Sequence, residues 1–374
     1  DLHAKARNDF SAMASLLTLS PFVLTATDAA NQSVLDTVLQ GAWGQTYTDW
    51  QADKAMSQAE READQGTFTD RWIADRSAML DTLVRANQND ETFYNDLAAK
   101  DVWVYEDKAS NTLITRQPVG PGPFVNHYLS FGDQGANTLA GAAKEDHFYG
   151  GAGDDVLNGL GGADHLEGNA GDDVLNGGDG TDTLLGGSGA DTLDGGLGND
   201  QIKGGVGSDI YRFSGSFGID TIDDVGTDDG ILVAGLGDLR NLTLKKISPT
   251  DWQTEDRTVT FSLIQLAGQP EYLVITVVGT ASNGAIRVNN WVDGQFGIVL
   301  GGTVAQPTTT SVLMGDYIKA TNTEGTQYKF GGDGNYLSDG AHANAPDVLN
   351  GSSVADVMYG LGGNDGIAGG AGDD

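Results

Sequence analysis

GDQGANTLA GAAKEDHFY GGAGDDVLN GLGGADHLE GNAGDDVLN GGDGTDTLL GGSGADTLD GGLGNDQIK GGVGSDIYR, residues 132–212, is one nine-residue phrase repeated without insertion. Position one is always Gly, and position six is Asp in every unit except the first, which has Asn137. Position eight is apolar throughout: Leu139, Phe148, Leu157, Leu166, Leu175, Leu184, Leu193, Ile202 and Tyr211. A fixed period decides architecture before local propensity does. The leading six residues are glycine-rich and suit a tight turn. The last three, such as Asp155-Val156-Leu157, alternate and suit a short strand. So short a strand is not stable alone. Two units therefore form one coil of a solenoid, with Leu157 over Leu175 and Leu193, and each coil touches only its neighbours. A glycine-rich linker would not keep an apolar residue at every ninth position.

The same stacking lines up the carboxylates. Asp155, Asp173, Asp191 and Asp209 fall on one edge, and Asp146, Asp164, Asp182 and Asp200 on the other. Rows of like charge beside backbone carbonyls repel unless a cation intervenes. Ligands that are all hard oxygens select Ca²⁺ over zinc or copper. Ions interleaved between stacked turns give about seven places in this roll if Asn137 can serve, since each coil meets only the next.

Units such as GGAGDDVLN, GGSGADTLD and GGLGNDQIK resemble the G-G-x-G-x-D-x-U-x nonapeptide of the RTX (repeats-in-toxin, hemolysin-type) family, a calcium-binding repeat. The resemblance implies a parallel β-roll, calcium in the turns and bacterial secretion by a type I apparatus. It assigns a side-chain oxygen to each position-six residue. Carbonyls of the turns opened by Gly150, Gly159, Gly168, Gly177, Gly186, Gly195 and Gly204 would supply the rest. Asn137 offers a neutral oxygen and weakens the first site. Lys144 stands where Gly is expected in the second unit, and its ammonium competes with a cation near Asp146. Extracellular calcium modules of this kind bind at ~10⁻⁴–10⁻³ M, which suits a chain unfolded inside the cell and folded outside.

Charge and composition agree. The 374 residues carry 20 Lys and Arg against 53 Asp and Glu, a net charge of −33, and no cysteine. That balance argues against nucleic-acid binding, which needs a basic footprint. With no disulfides, calcium is the candidate staple. No stretch is long and apolar enough for a membrane span. The start lacks the layout of a signal peptide. The repeat broken off at Asp374 reads as a fragment of a longer protein.

Working outward, the expected fold is mainly β. A calcium-binding parallel β-roll is capped by an antiparallel β module and preceded by an α-helical segment. The divisions read as 1–117 helical and ending in a hairpin, 118–131 linker, 132–212 roll, 213–330 cap, and 331–374 a second, truncated block in which Asp356 and Asp365 hold position six. Val34, Leu35, Val38 and Leu39 mark a helix over 31–43, and a third helix reads over 48–63. Thr69 or Asp70 caps another helix that buries Trp72, Ile73, Met79, Leu80, Leu83 and Val84. Residues 102–105 and 112–115 form the hairpin. Past the roll, strands are expected over 242–247, 258–266, 271–278, 285–290 and 297–300.

Residues 6–22, 47–53, 68–80 and 104–114 resemble the segment that follows the hydrolase domain in large secreted RTX lipase-like proteins. The run from Tyr272 to Trp291 resembles the β module that follows RTX rolls. The first resemblance implies a lipase-type parent enzyme. This chain has no G-x-S-x-G nucleophile motif, so no catalytic residue is assigned. Other expectations for the parent are an adhesin, with this part as stalk or ligand-binding region, or a pore-forming toxin. His147 and His165 share the outward position seven and read as a solvated pair, because zinc needs three or four converging ligands.

Overall fold

The computed structural model describes residues 2–21, 29–58, 66–88, 101–116, 122–224, 228–266, 269–279, 281–301 and six short strands between 311 and 368. Consecutive repeat units lay their strands on opposite sides of a flat coil. Units one, three, five, seven and nine supply β4 (Thr138–Ala140), β6 (Val156–Gly161), β8 (Val174–Gly180), β10 (Thr192–Gly198) and β12 (Ile210–Phe213). Units two, four, six and eight supply β5 (His147–Ala152), β7 (His165–Ala170), β9 (Thr183–Ser188) and β11 (Gln201–Val206). All pair in parallel at a spacing of eighteen, so Leu157 meets Leu175 and Leu175 meets Leu193, while Leu166 meets Leu184. The position-eight side chains form two facing rows, each residue at most 3% exposed. Each buried leucine contributes about 1.5–3 kcal/mol. The core is only as thick as those two rows.

The roll does not stop where the nine-residue phase does. β13 (Gly215–Ile222) pairs in parallel with β11, placing Ile202 opposite Ile222, and β14 (Gly230–Val233) pairs with β12, placing Tyr211 opposite Ile231. Here the spacing is twenty. Two extra residues per coil hide the register from a nine-residue reading.

The cap continues one sheet of the roll. β20 (Ser282–Val288) lies parallel to β13, where another coil would lie. β19 (Tyr272–Val277), β18 (Val259–Ile264), β17 (Asp251–Thr254) and β16 (Leu244–Lys246) follow in antiparallel order. The other sheet ends in β15 (Gly237–Asp238), antiparallel to β14. Phe296 plugs the open end of the core, edge-on to Tyr211 at 5.6 Å between ring centroids. β17 escapes pattern reading because its buried residues alternate badly: Asp251, Trp252 and Gln253 are all inside, Gln253 Nε2 donating to Thr260 Oγ1 at 3.2 Å. Residues 297–300 form no strand; a 3₁₀ turn over Gln295–Gly297 leads into irregular chain.

At the other end, β3 (Val125–Phe131) pairs with β5 and with β1 (Asp101–Asp107), which forms the hairpin with β2 (Thr112–Arg116). One thirteen-stranded sheet thus runs from β2 through the roll to β16. Against its outer face lie α1 (Leu2–Ala6), α2 (Phe10–Leu17), α3 (Ala29–Trp43), α4 (Gln45–Ala55) and α5 (Asp70–Asn87). Thr69 caps α5, its hydroxyl accepting from Trp72 N at 3.0 Å. Leu39 faces inward, whereas Val34 and Val38 are more than half exposed, because α3 turns only one of its two apolar stripes to the core. Where the sequence indicates a helix over 48–63, α4 begins earlier, at Gln45, and ends at Ala55; residues 59–63 lie outside the described residues.

In the second block the strand Val348–Asn350 pairs in parallel with Gly366–Ala368, Leu349 meeting Ile367 at the same spacing of eighteen. Asp356 opens a strand, Asp356–Tyr359, that pairs with Ser311–Met314. Asp365 lies outside the described residues.

Candidate calcium-binding turns

Each coil turns between its strands through the glycine-rich half of the repeat, and the turn brings the position-six aspartate inside. Asp155, Asp164, Asp173, Asp182, Asp191, Asp200 and Asp209 are all 2% exposed or less. One oxygen of each carboxylate is spoken for. Oδ1 accepts the backbone N–H of position six in the preceding coil: Asp155 from Asn137, Asp164 from Asp146, Asp173 from Asp155, and so on through Asp209, at 2.6–2.9 Å. These bonds sort the aspartates into the two rows expected from the period.

The second oxygen has no partner. Oδ2 of each of these seven is buried without a hydrogen bond. A buried carboxylate with an unmatched oxygen is costly. The carboxyls respond accordingly: Asp164, Asp182 and Asp191 are pushed up to about 7, and Asp173, Asp200 and Asp209 to about 6. Loss of water around the charge is the main cause, with neighbouring aspartates adding to it at most of these positions.

The position-one glycine shows what the space is for. A Cβ on Gly168 would lie 2.3 Å from Asp173 Oδ2 and 2.6 Å from the carbonyl oxygen of Gly186, one coil on. The same cradle recurs at Gly150, Gly159, Gly177 and Gly186, each facing its own unit's aspartate and the next coil's carbonyl. At Gly195 and Gly204 the aspartate side repeats, with Asp200 and Asp209. Position one thus needs glycine for room, since none of these seven has positive φ, while position four needs it for conformation, as at Gly189 with φ 134°. Leu160 and Asn169, at position two, accept φ 73° without being glycine.

Among the described residues no three His, Cys, Asp or Glu side chains converge. The donor set is instead one carboxylate oxygen per turn together with backbone carbonyls. That all-oxygen set fits a hard cation of flexible coordination, as Ca²⁺ is. Asp155, Asp164, Asp173, Asp182, Asp191, Asp200 and Asp209 would hold it, with the carbonyls beside the position-one glycines.

Two of the expected positions differ. Asp146 accepts from Tyr128 N at 2.6 Å and, with its other oxygen, from Ala142 N at 2.7 Å, so neither oxygen is left over. Its turn carries Ala142 and Lys144 where units three to nine have their positive-φ residues, and neither of the two takes positive φ. The Asn137 amide nitrogen turns back onto Asp133 Oδ1 at 3.0 Å and the Gly135 carbonyl. Two aspartates outside the nine units join the rows. Asp220 Oδ1 accepts from Asp200 N at 2.9 Å, and Asp229 Oδ1 from Asp209 N at 2.8 Å, each with a buried Oδ2 that has no partner. Burial raises both carboxyls. Their signal in the sequence is the surviving Asp-x-apolar triplet in Asp220-Thr221-Ile222 and Asp229-Gly230-Ile231.

His147 and His165 are not a solvated pair. His147 is 5% exposed, with Nδ1 2.7 Å from Asp75 Oδ2 on α5. His165 Nε2 lies 2.7 Å from Glu167 Oε1, which also accepts from Thr69 Oγ1 at 2.6 Å.

No helix among the described residues is long and apolar enough to cross a membrane. No curated protein matches the chain. The family model described as RTX calcium-binding nonapeptide repeat (4 copies) matches residues 131–166, 158–193, 176–211, 185–222 and 344–374. Those matches cover the turns from Asn137 to Asp209 and end at residue 222, ten residues past the strict period, so that they take in Asp220 but not Asp229. The period, the two carboxylate rows and the glycine cradles thus converge with those matches on one conclusion: the chain carries the RTX calcium-binding nonapeptide repeat.

Proposed function

We propose that this chain is the calcium-driven folding module of a secreted bacterial protein, exported by a type I apparatus and completed by calcium outside the cell. The observation that supports it is the pair of rows of buried carboxylate oxygens without partners. Such a roll is self-repelling where calcium is scarce and closes where it is plentiful, because a ligand that binds only the folded state stabilises it by mass action. Five partnerless oxygens on one row leave four intervals and four on the other leave three, so about seven ions interleave, lying between Asp155 and Asp229. The attached protein is read as a lipase-type enzyme, from the resemblance of the helical segment. Circular dichroism and calorimetric titration test the calcium reading: added calcium should create β signal, raise the melting temperature and bind at several sites per chain. A far-ultraviolet spectrum and melting point indifferent to chelator would refute it.

A further inference from the structure

We infer that the helical layer is the seat on which the roll is started, holding the first two repeat units in place where later units rely on a cation. This rests on the calcium-dependent reading of the roll and concerns which part of it escapes that dependence. Three observations meet at the same coils.

First, within the repeat units the partnerless oxygens begin at Asp155, in the third unit; ahead of them only Asp107 Oδ1 among the described buried carboxylates lacks a hydrogen bond, and it faces the Arg76 guanidinium. In the second unit the Ala142 and Tyr128 N–H groups already satisfy Asp146, and in the first Asn137 replaces the acid. Second, the helical layer grips this stretch. Asp75 Oδ2 accepts from Tyr149 Oη at 2.6 Å and meets His147, both on β5. Phe131 of β3 stacks on Tyr149 at 4.8 Å between centroids and meets Trp72 edge-on. Third, a buried ion pair ties α5 to the hairpin that begins the sheet. Arg76 Nη1 lies 3.0 Å from Asp107 Oδ1, while Nε and Nη2 donate to the Leu16 and Leu17 carbonyls. Arg76 also lies over the Phe131 ring at 4.5 Å. Every donor on this path ends on an acceptor of the same chain.

A solenoid coil is stable only against a formed neighbour. β3 and β5 therefore present a ready edge before any calcium binds, and coils add in the order Asp155 and Asp164 towards Asp229 as calcium rises.

Hydrogen exchange read by mass spectrometry on the full chain tests this. In chelator, peptides covering α5, β1, β3 and β5 should stay protected while those covering β8 to β12 exchange; calcium should protect the latter. Equal loss in β3, β5 and β8 to β12 overturns the inference and leaves the calcium reading intact. Indifference of every peptide to chelator removes the calcium reading, and the inference with it. Arg76→Met should raise the calcium concentration that half-protects β8 to β12, on the order of tenfold, because it leaves Asp107 buried without its partner. Tyr149→Phe keeps the ring on Phe131 and removes only the hydroxyl, and should shift the midpoint the same way by less. Unmoved midpoints in both variants overturn the inference.

Discussion

The helical layer and the roll both bury charge, and they settle it differently. In the helical layer Asp53 is 3% exposed and takes the N–H groups of Thr67 and Phe68 at 3.1 and 2.7 Å, one on each oxygen. Arg76 faces Asp107, and Asp75 faces His147 and Tyr149. The chain supplies a donor or a countercharge to each of these acids itself, Asp107 Oδ1 meeting Arg76 as an ion pair without a hydrogen bond. In the roll, Asp164 and Asp182 are buried as deeply, yet each receives one N–H and leaves one oxygen over. The lesson is one of closure. A helix or a connecting loop can bring a donor from far along the chain, whereas a repeated turn meets only copies of itself. Copies cannot supply a countercharge, so an outside cation must.

That contrast can be broken in order of expected effect. Leu184→Ala opens a cavity in a row one residue thick and should cost ~2–5 kcal/mol of the calcium-loaded stability. Denaturant unfolding in saturating calcium measures it, and a smaller loss would mean the coils collapse to fill the gap. Asp53→Ala strands two N–H groups at about 1–3 kcal/mol each. Its cost, followed by tryptophan fluorescence, should be the same with calcium and with chelator; a calcium-dependent cost would erase the distinction between the regions. Asp182→Asn should have opposite signs in the two conditions. It removes a buried charge, so the calcium-free chain gains β signal. It also removes a ligand, so the calcium midpoint rises. Losses in both conditions would show that Asp182 acts only in packing.

The smallest expected effect is that of pH on the calcium-free chain. The row carboxyls sit near 6 to 7 when folded, above their ordinary 3.8. A raised acid binds its proton more tightly in the folded chain. Its contribution is therefore complete below about 3.8 and disappears as pH rises through 6 to 7. In chelator, acidification from pH 8 to 5 should partly restore β signal. With calcium present the sense reverses, since protons compete for the same oxygens and the calcium midpoint should rise as pH falls below 7. An apo spectrum flat between pH 8 and 5 would count against the burial of these acids.

The roll could be read from sequence because its spacing carries its geometry: eighteen residues per coil fix which leucines and aspartates stack. The same reading lost Asp220 and Asp229 when the spacing became twenty. It lost β17 because Asp251 and Gln253 are polar and buried. It also misjudged His147 and His165. Position seven points out of the coil, and nothing in the period says that α5 lies over that face. Asp146 shows the same limit from the other side. Its identity fits the repeat, but Ala142 supplies the donor that satisfies it, and a repeat consensus holds no record of that bond.

The pairing of alternate units also constrains how this chain can change length. One extra unit of nine residues inside the roll would send every later strand to the opposite sheet. The cap, which moves with β13, would then continue the sheet opposite to the one that carries β3 and the helical layer. An insertion or deletion of two units only adds or removes one whole coil and leaves both ends seated as before. Duplication and loss in the strictly periodic stretch should therefore be tolerated in steps of eighteen residues and selected against in steps of nine.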